Sequence, residues 1–334
     1  MSEETKMSEI VSKRSELLFL YDVKDVNPNG DPLDENKPRI DEETMENLVS
    51  DVRLKRTVRD YLHDSKGLDI FIRGYRDDDG LLKGKKTVLD ENNISNADDL
   101  IKKYIDMRLF GATAAISKKG KKGPKKAEPE DAEGEQKNEK NIILTGPVQF
   151  RIGRSLHRVK LSFIKGTTVM PSKETGKAQG TFTEQYVLPY SLIGFYGIVN
   201  ENAAKTTQLT DDDVKNLIDG LWNGTKNLIS RSKVGQMPRL LISVTYKEKN
   251  YHIGDLNALI KKGKTEVPDE EIRDIAQIPL EISALIDAFA ANAAKIDHIE
   301  YCIDPRLRLT VKEKAVTLEE ALKSAKCLSN QINL

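Results

Sequence analysis

The chain has 334 residues with 53 Lys+Arg against 53 Asp+Glu, and its net charge of zero gives no global sign of a nucleic-acid partner. Its two cysteines, Cys302 and Cys327, lie far apart without CxxC spacing, which excludes a cysteine-built zinc site within one chain and fits a reducing compartment. The polar start MSEETKMSEIVSKRS has no apolar signal core and no run nears membrane-spanning length, so a soluble, cytoplasmic protein of one or two domains is expected, with no membrane partner.

The first predicted element is a strand over 16–24, the apolar and aromatic run Leu17-Leu-Phe-Leu-Tyr-Asp-Val-Lys. It leads into DVNPNGDPLDEN, residues 25–36, whose D-x-N-x-N-G opening approaches an EF-hand calcium loop. The twelfth position is Asn36, Glu35 stands one residue early, Pro28 lies inside the loop, and a strand rather than a helix precedes it. These features argue against calcium, and no metal is expected. Asn-Pro and Asn-Gly mark turns instead. A helix is predicted over 44–63. Within SDVRLKRTVRDYL, Val52, Lys55, Arg59 and Leu62 follow helical steps, and Arg53, Lys55, Arg56 and Arg59 crowd seven residues with Asp51 and Asp60 as partial offset. That row fits a line of phosphates and fits equally well cationic stems that snorkel past a core face.

Further along, a strand is predicted over 69–73 and a helix over 96–107. Ser117 to Lys140 is of low complexity, a lysine block followed by a glutamate block, with only Ala127 and Ala132 as apolar side chains. It has too little to bury to offset its ordering entropy and is expected to be a flexible insertion. Strands are predicted over 142–150, 156–164, 185–198, 239–247 and 296–303, and helices over 211–230, 270–294 and 317–328. Thr210-Asp-Asp-Asp and Thr317-Leu-Glu-Glu supply hydroxyl caps and acids at helix starts. The mixed order defines an α+β class.

Charge is distributed unevenly. Lys140 to Lys173 holds no acid but carries Arg151, Arg154, Arg158, Lys160 and Lys165, and Gly220 to Lys247 holds no acid but carries Lys226, Arg231, Lys233 and Arg239. Acid-free basic stretches favour a polyanion partner, with basic-edged strands as the alternative. Catalytic constellations are sparse: His63, His157, His252 and His298 have no metal-ligand spacing, and no HxxxH, GxSxG, GKS/T or GxGxxG occurs. Ser155 and His157 alternate on one strand, and Asp22, Asp25 and Asp31 sit near one loop, but exposed acids and structural histidines are commoner than catalytic ones. No catalytic residue and no cofactor is expected.

Several motifs in order carry a family resemblance. Asp22-Val-Lys-Asp-Val-Asn-Pro-Asn-Gly-Asp-Pro, Pro38-Arg-Ile-Asp, Ser50-Asp-Val-Arg-Leu-Lys-Arg-Thr-Val-Arg, Arg108-Leu-Phe-Gly-Ala, Thr145-Gly-Pro-Val-Gln-Phe and Gly153-Arg-Ser-Leu-His are followed by Tyr186-Val-Leu-Pro-Tyr-Ser-Leu-Ile-Gly-Phe-Tyr-Gly and Leu221-Trp-Asn-Gly-Thr-Lys-Asn-Leu-Ile-Ser-Arg-Ser-Lys. Together they resemble the Cas-seven family, the repeated backbone subunit of type I CRISPR surveillance complexes (Cascade), and most resemble its I-B subtype, across roughly 15–247.

The resemblance implies one hand-shaped domain. An RRM-like (ferredoxin-like) palm would comprise about 15–63, 142–165, 185–247 and 296–334. A finger insertion would take about 64–106, and a thumb hairpin about 166–184. Copies would stack along a CRISPR RNA beside the large, small, handle-capping and RNA-processing subunits, with target DNA reached through the guide. The implied RNA contacts are Asn27, Asn29, Arg39, Ser50, Arg53, Lys55, Arg56, Arg59, Arg151, Arg154, His157, Arg231, Lys233, Gln236 and Arg239. Thr168, Val169, Met170 and Phe182 are the thumb's wedge candidates, although the same composition fits an ordinary flexible hairpin. Two nuclease alternatives stay open: metal-assisted cleavage through Asp25 or Asp31, and RNA processing with His157 as base.

Overall fold

The computed structural model describes residues 8–117, 139–167 and 182–334. A nine-stranded, mostly antiparallel sheet forms the centre. Its order is Ser329–Gln331, Ile296–Ile303, Gln236–Tyr246, Ser15–Val26, Phe182–Val199, Gly153–Arg158 and Glu46–Val49, with Val148–Phe150 and Ser162–Thr167 also pairing the long strand Phe182–Val199. The α+β class expected from the sequence is therefore observed. Within this sheet the chain passes strand (15–26), helix (Asp51–Asp64), strand (153–158), strand (182–199), helix (Asp211–Lys226) and strand (236–246), and the last of these lies beside the first.

The first strand shows no polar alternation because both faces of the sheet are covered. Leu17, Phe19, Tyr21 and Val23 face one core with Leu54, Val58 and Leu62 of the first helix and Leu217, Ile218 and Leu221 of the second. Leu18 and Leu20, together with Tyr190, Leu192, Leu240 and Ile242, face the other core, which the C-terminal third fills with Ile272, Ile275, Ile278, Leu285 and Phe289. Glu16 fastens this cover. Its buried carboxylate accepts from the Tyr196 hydroxyl at 2.6 Å, from the Tyr246 hydroxyl, and from the Ile253 and Gly254 amides at 2.9 and 2.8 Å. The sheet face opposite the two helices is thus packed with protein.

A third, smaller core gathers Phe71, Leu89, Leu100, Tyr104, Met107, Ala114 and Ile142. It reaches beyond residue 106 to the hairpin Gly111–Ser117 with Glu139–Thr145. Arg59 joins it to the first helix by donating to buried Asp106 at 3.0 Å, and Asp106 also accepts from the Phe71 and Ile72 amides.

Several predicted elements differ in their bounds. Residues 44–50 are not helical: Glu46–Val49 is a sheet-edge strand, and the helix starts only after Ser50, its N-cap. Residues 69–73 form no strand, since a side-chain carboxylate takes the amide hydrogens of Phe71 and Ile72. The 96–107 helix breaks at Tyr104, whose backbone is extended and whose side chain fills the small core. The long helix over 270–294 is replaced by two short 3-10 turns, the strand Leu280–Glu281 and the helix Ser283–Ala291, because Pro279 cannot donate a helical hydrogen bond. The insertion residues 118–138 and thumb candidates Thr168, Val169 and Met170 lie outside the described residues.

Candidate nucleic-acid interface

Four segments converge where the first strand ends. The loop after Val26 is tied to the first helix by Asn29, whose side-chain oxygen accepts from the Ser50 amide at 2.8 Å and the Ser50 hydroxyl at 2.9 Å. Ser50 in turn caps the helix by accepting from the Arg53 amide at 3.2 Å. The loop meets the paired strands 162–167 and 182–187 through Tyr186, which donates to Glu35 at 3.0 Å and lies under Lys37. The 231–235 turn closes the group: the Asn27 amide donates to the Ser232 carbonyl, Lys233 donates to the Asn27 and Pro28 carbonyls, and Arg231 donates to the Thr183 hydroxyl at 3.4 Å.

Charge at this junction is unbalanced. Arg53 is half-buried and donates to the Thr57 hydroxyl at 3.0 Å. Lys233, also half-buried, uses two of its three hydrogens on the carbonyls. Burial and then the Arg53 charge push the Lys233 ammonium down to about 8, while burial pulls the Arg53 guanidinium below its usual value. Neither cation, nor exposed Arg231, forms an ion pair among the described residues. Exposed Val52, Ile229 and Val234 lie near these cations in the chain, and exposed Phe182 precedes Thr183, the acceptor of Arg231. Sequence reasoning missed the first three, although apolar residues outside a helix's buried stripe are a readable signal.

Removal of the Ser50 hydroxyl tests how firmly the loop is held. Ser50→Ala is expected to cost about 1 kcal/mol, a usual loss for an N-cap. A urea denaturation midpoint left unchanged would show that Asn29 and the loop do not need it.

Other implied contacts are placed elsewhere. Arg59, Arg239, His157, Gln236 and Asn27 are buried, so none presents its side chain as an open phosphate contact in this structure. Arg59 holds Asp106. Arg239 bridges Asp22 and Asp304, both at 2.9 Å, and Asp22 also accepts from Tyr190. Asn27 donates to the Asn36 carbonyl at 2.6 Å. His157 is stacked on Tyr190, its Nδ1 facing the Arg158 carbonyl at 2.8 Å and its Nε2 accepting from the Leu192 amide at 3.3 Å. Burial pushes its pKa down, so it is neutral at physiological pH.

The remaining cations are exposed or partly exposed but paired. Lys55 donates to Asp51 and Gln149, and Arg56 clasps Asp60. Arg39 pairs with Asp31, Arg151 with Asp255, and Arg154 with Asp41 and Glu46. No group of three metal-ligating side chains occurs among the described residues. No helix among them is long and apolar enough to cross a membrane.

Fold and site together define an α+β protein whose exposed chemistry is a cationic, polar junction between a loop, a helix start and a hairpin. The family profile described as CRISPR-associated protein Cas7 matches residues 13–283. A relative from Haloferax volcanii, described as CRISPR-associated protein Cas7, is 32% identical over 323 residues, covering 92% of each chain. The chain belongs to the Cas7 family. Among solved structures, a chain of a "CRISPR RNA-guided surveillance complex, pre-nicking" is similar in fold, with a TM-score of 0.50 and 12% identity, covering 96% of each chain.

Proposed function

We propose that this chain is a non-catalytic backbone subunit of a type I CRISPR surveillance complex, of the I-B kind. Several copies stack along the guide spacer, hold its phosphates, kink it at intervals and present its bases to target DNA, in the cytoplasm and with the other Cascade subunits. Family membership supports the assignment, and the observation that carries the RNA-holding role is the group Arg53, Arg231 and Lys233 beside the Asn27 to Asn29 loop, none of which forms an ion pair among the described residues. Cations of this kind position a backbone without reading sequence, as any spacer must be accepted. Specificity then rests with base pairing.

The palm in this proposal is RRM-like, which the strand–helix–strand–strand–helix–strand order supports. It departs from sheet-face RNA readers in one respect. The face on which such domains stack bases is filled here by the C-terminal third, so the guide runs along the junction at the sheet's end. Asn27 and Asn29 shape that junction, and the Phe182 side of the hairpin supplies the thumb. His157 is a poor candidate base because both its ring nitrogens have backbone partners. Incubating the chain with labelled CRISPR RNA and magnesium is expected to leave the RNA intact and footprinted at regular intervals. Cleaved RNA, from protein free of contaminating nuclease, would instead make the chain a RAMP-type nuclease.

A further inference from the structure

A polar cavity of about 450 Å³ opens at the end of the sheet opposite the Asn27 to Asn29 loop. It lies on the helix-covered face, where the start of the Ser15–Val26 strand meets the first turns of the Asp211–Lys226 helix and the strands Gln236–Tyr246 and Ile296–Ile303. An extended strand of that length separates it from the junction by roughly 35 Å, and the two share no residue. Val11, Val199 and Ile218 supply an apolar lining. Glu9, Asp211 and Glu300 also line it, and none of these three carboxylates accepts a hydrogen bond or forms an ion pair among the described residues. Asp297, the fourth, is held by Lys13 at 2.8 Å and by the His298 ring at 3.0 Å. Lys215 is bonded to Asp212 at 2.8 Å and senses Asp211 and Glu300 through space. Ser15 and Thr245 satisfy each other at 3.0 Å, but Ser243, 4% exposed, lines the cavity with a hydroxyl that bonds to nothing among the described residues.

Four carboxylates thus face two lysines, and a buried hydroxyl is left without the partner such groups normally find. The carboxylates are not gathered closely enough to hold a metal ion. Their spread suits a larger cation with many donors. A guanidinium is planar, always charged, weakly hydrated and carries five N–H donors, whereas a lysine ammonium is compact, strongly hydrated and has three. An alkyl stem behind it matches the apolar lining, and the volume falls in the small-ligand range of roughly 300–1,000 Å³. We propose that this cavity is a binding subsite for a guanidinium group on an alkyl stem. Glu300 and Asp211 accept its hydrogens, Ser243 accepts one more, and the stem lies along Val11, Val199 and Ile218. The inference is independent of the RNA-binding role and stands or falls without it.

The same chemistry reaches the cavity from two sources, a free small guanidine or an arginine side chain presented by a neighbouring polypeptide. N-butylguanidine stands for the first and N-acetylarginine methylamide, whose stem is blocked by two peptide groups, for the second. n-Butylamine carries the charge without the fork of donors and reports how much of the affinity is charge alone.

The test is a saturation-transfer NMR titration of the full chain with each probe at physiological ionic strength, where scattered surface charges are screened. N-butylguanidine is expected to bind with a Kd of about 1 mM or tighter, within reach of so small a ligand, and n-butylamine about tenfold more weakly. Ser243→Ala is expected to weaken N-butylguanidine roughly threefold to tenfold, the loss of one hydrogen bond, while melting no lower than wild type because its hydroxyl bonds nothing in the fold. Glu300→Gln is expected to weaken it by about tenfold, and Asp211→Asn, on the exposed helix start, takes its place if Glu300→Gln melts early. N-acetylarginine methylamide binding as well as N-butylguanidine assigns the site to a presented arginine, and binding of N-butylguanidine alone assigns it to a free guanidine. No binding at about ten times the expected Kd overturns the subsite. So does binding that Ser243→Ala leaves unchanged, since a mere cluster of acids does not need that hydroxyl.

Discussion

Arg59→Ala is expected to destabilise the chain by about 3–5 kcal/mol, the usual result of removing one partner of a buried ion pair. The Asp106 carboxylate is fully buried and would lose its one charged partner among the described residues, keeping the Phe71 and Ile72 amides. Arg59 also lies over the Phe110 ring at 4.9 Å, so truncation opens a gap between the first helix and the insertion's core. Urea denaturation reads the loss. RNA binding by the fraction that stays folded should keep its full salt dependence, because this guanidinium faces protein. A stability loss under 1 kcal/mol with a flatter salt slope would return Arg59 to the RNA-contacting row.

That contrast shows what was legible in the sequence. The order of motifs and the apolar strands gave the α+β class, because both depend on local pattern. The turn signals of the 27–30 loop and the basic residues of the 231–233 turn were readable from residue type, whereas the helix start was placed seven residues too early. Pairing was not legible. The window from Lys140 to Lys173 is acid-free along the chain but not in space: Arg151 meets Asp255, Arg154 meets Asp41 and Glu46, and Arg158 meets Glu270. Each partner lies about a hundred residues away in sequence, beyond any window. Of the helical row, Lys55, Arg56 and Arg59 are matched by carboxylates, and Arg53 has no carboxylate partner among the described residues. The C-terminal third carried no recognised motif, although it supplies one of the two main cores. Its role is packing, which leaves only a scatter of Ile and Leu in the sequence.

Arg53→Glu combined with Arg231→Glu is expected to have the largest effect on binding with little effect on folding. Arg53 is the third residue of its helix, and Glu there would face Ser50 in a capping-box arrangement and favour the positive end of the dipole, so the helix should be as stable as before. Arg231 is exposed and held by one weak hydrogen bond, which makes its loss tolerable to the fold. At the interface the same changes replace two attractions with two repulsions. Each single-strand phosphate contact contributes roughly 0.7 to the salt slope, so the slope should flatten by roughly 1.4. Over the decade or so of salt between physiological ionic strength and 1 M, that alone is a loss of about tenfold or more, and repulsion adds to it. On the proposed role the loss should be equal across unrelated spacer sequences, because contacts to phosphates carry no base information. Filter binding over a salt series, with thermal melting as the folding control, decides the matter. A variant that melts normally and keeps the wild-type slope would move the RNA path away from this junction, to the paired cations around Arg151 and Arg154, whose carboxylates an RNA phosphate would then have to displace.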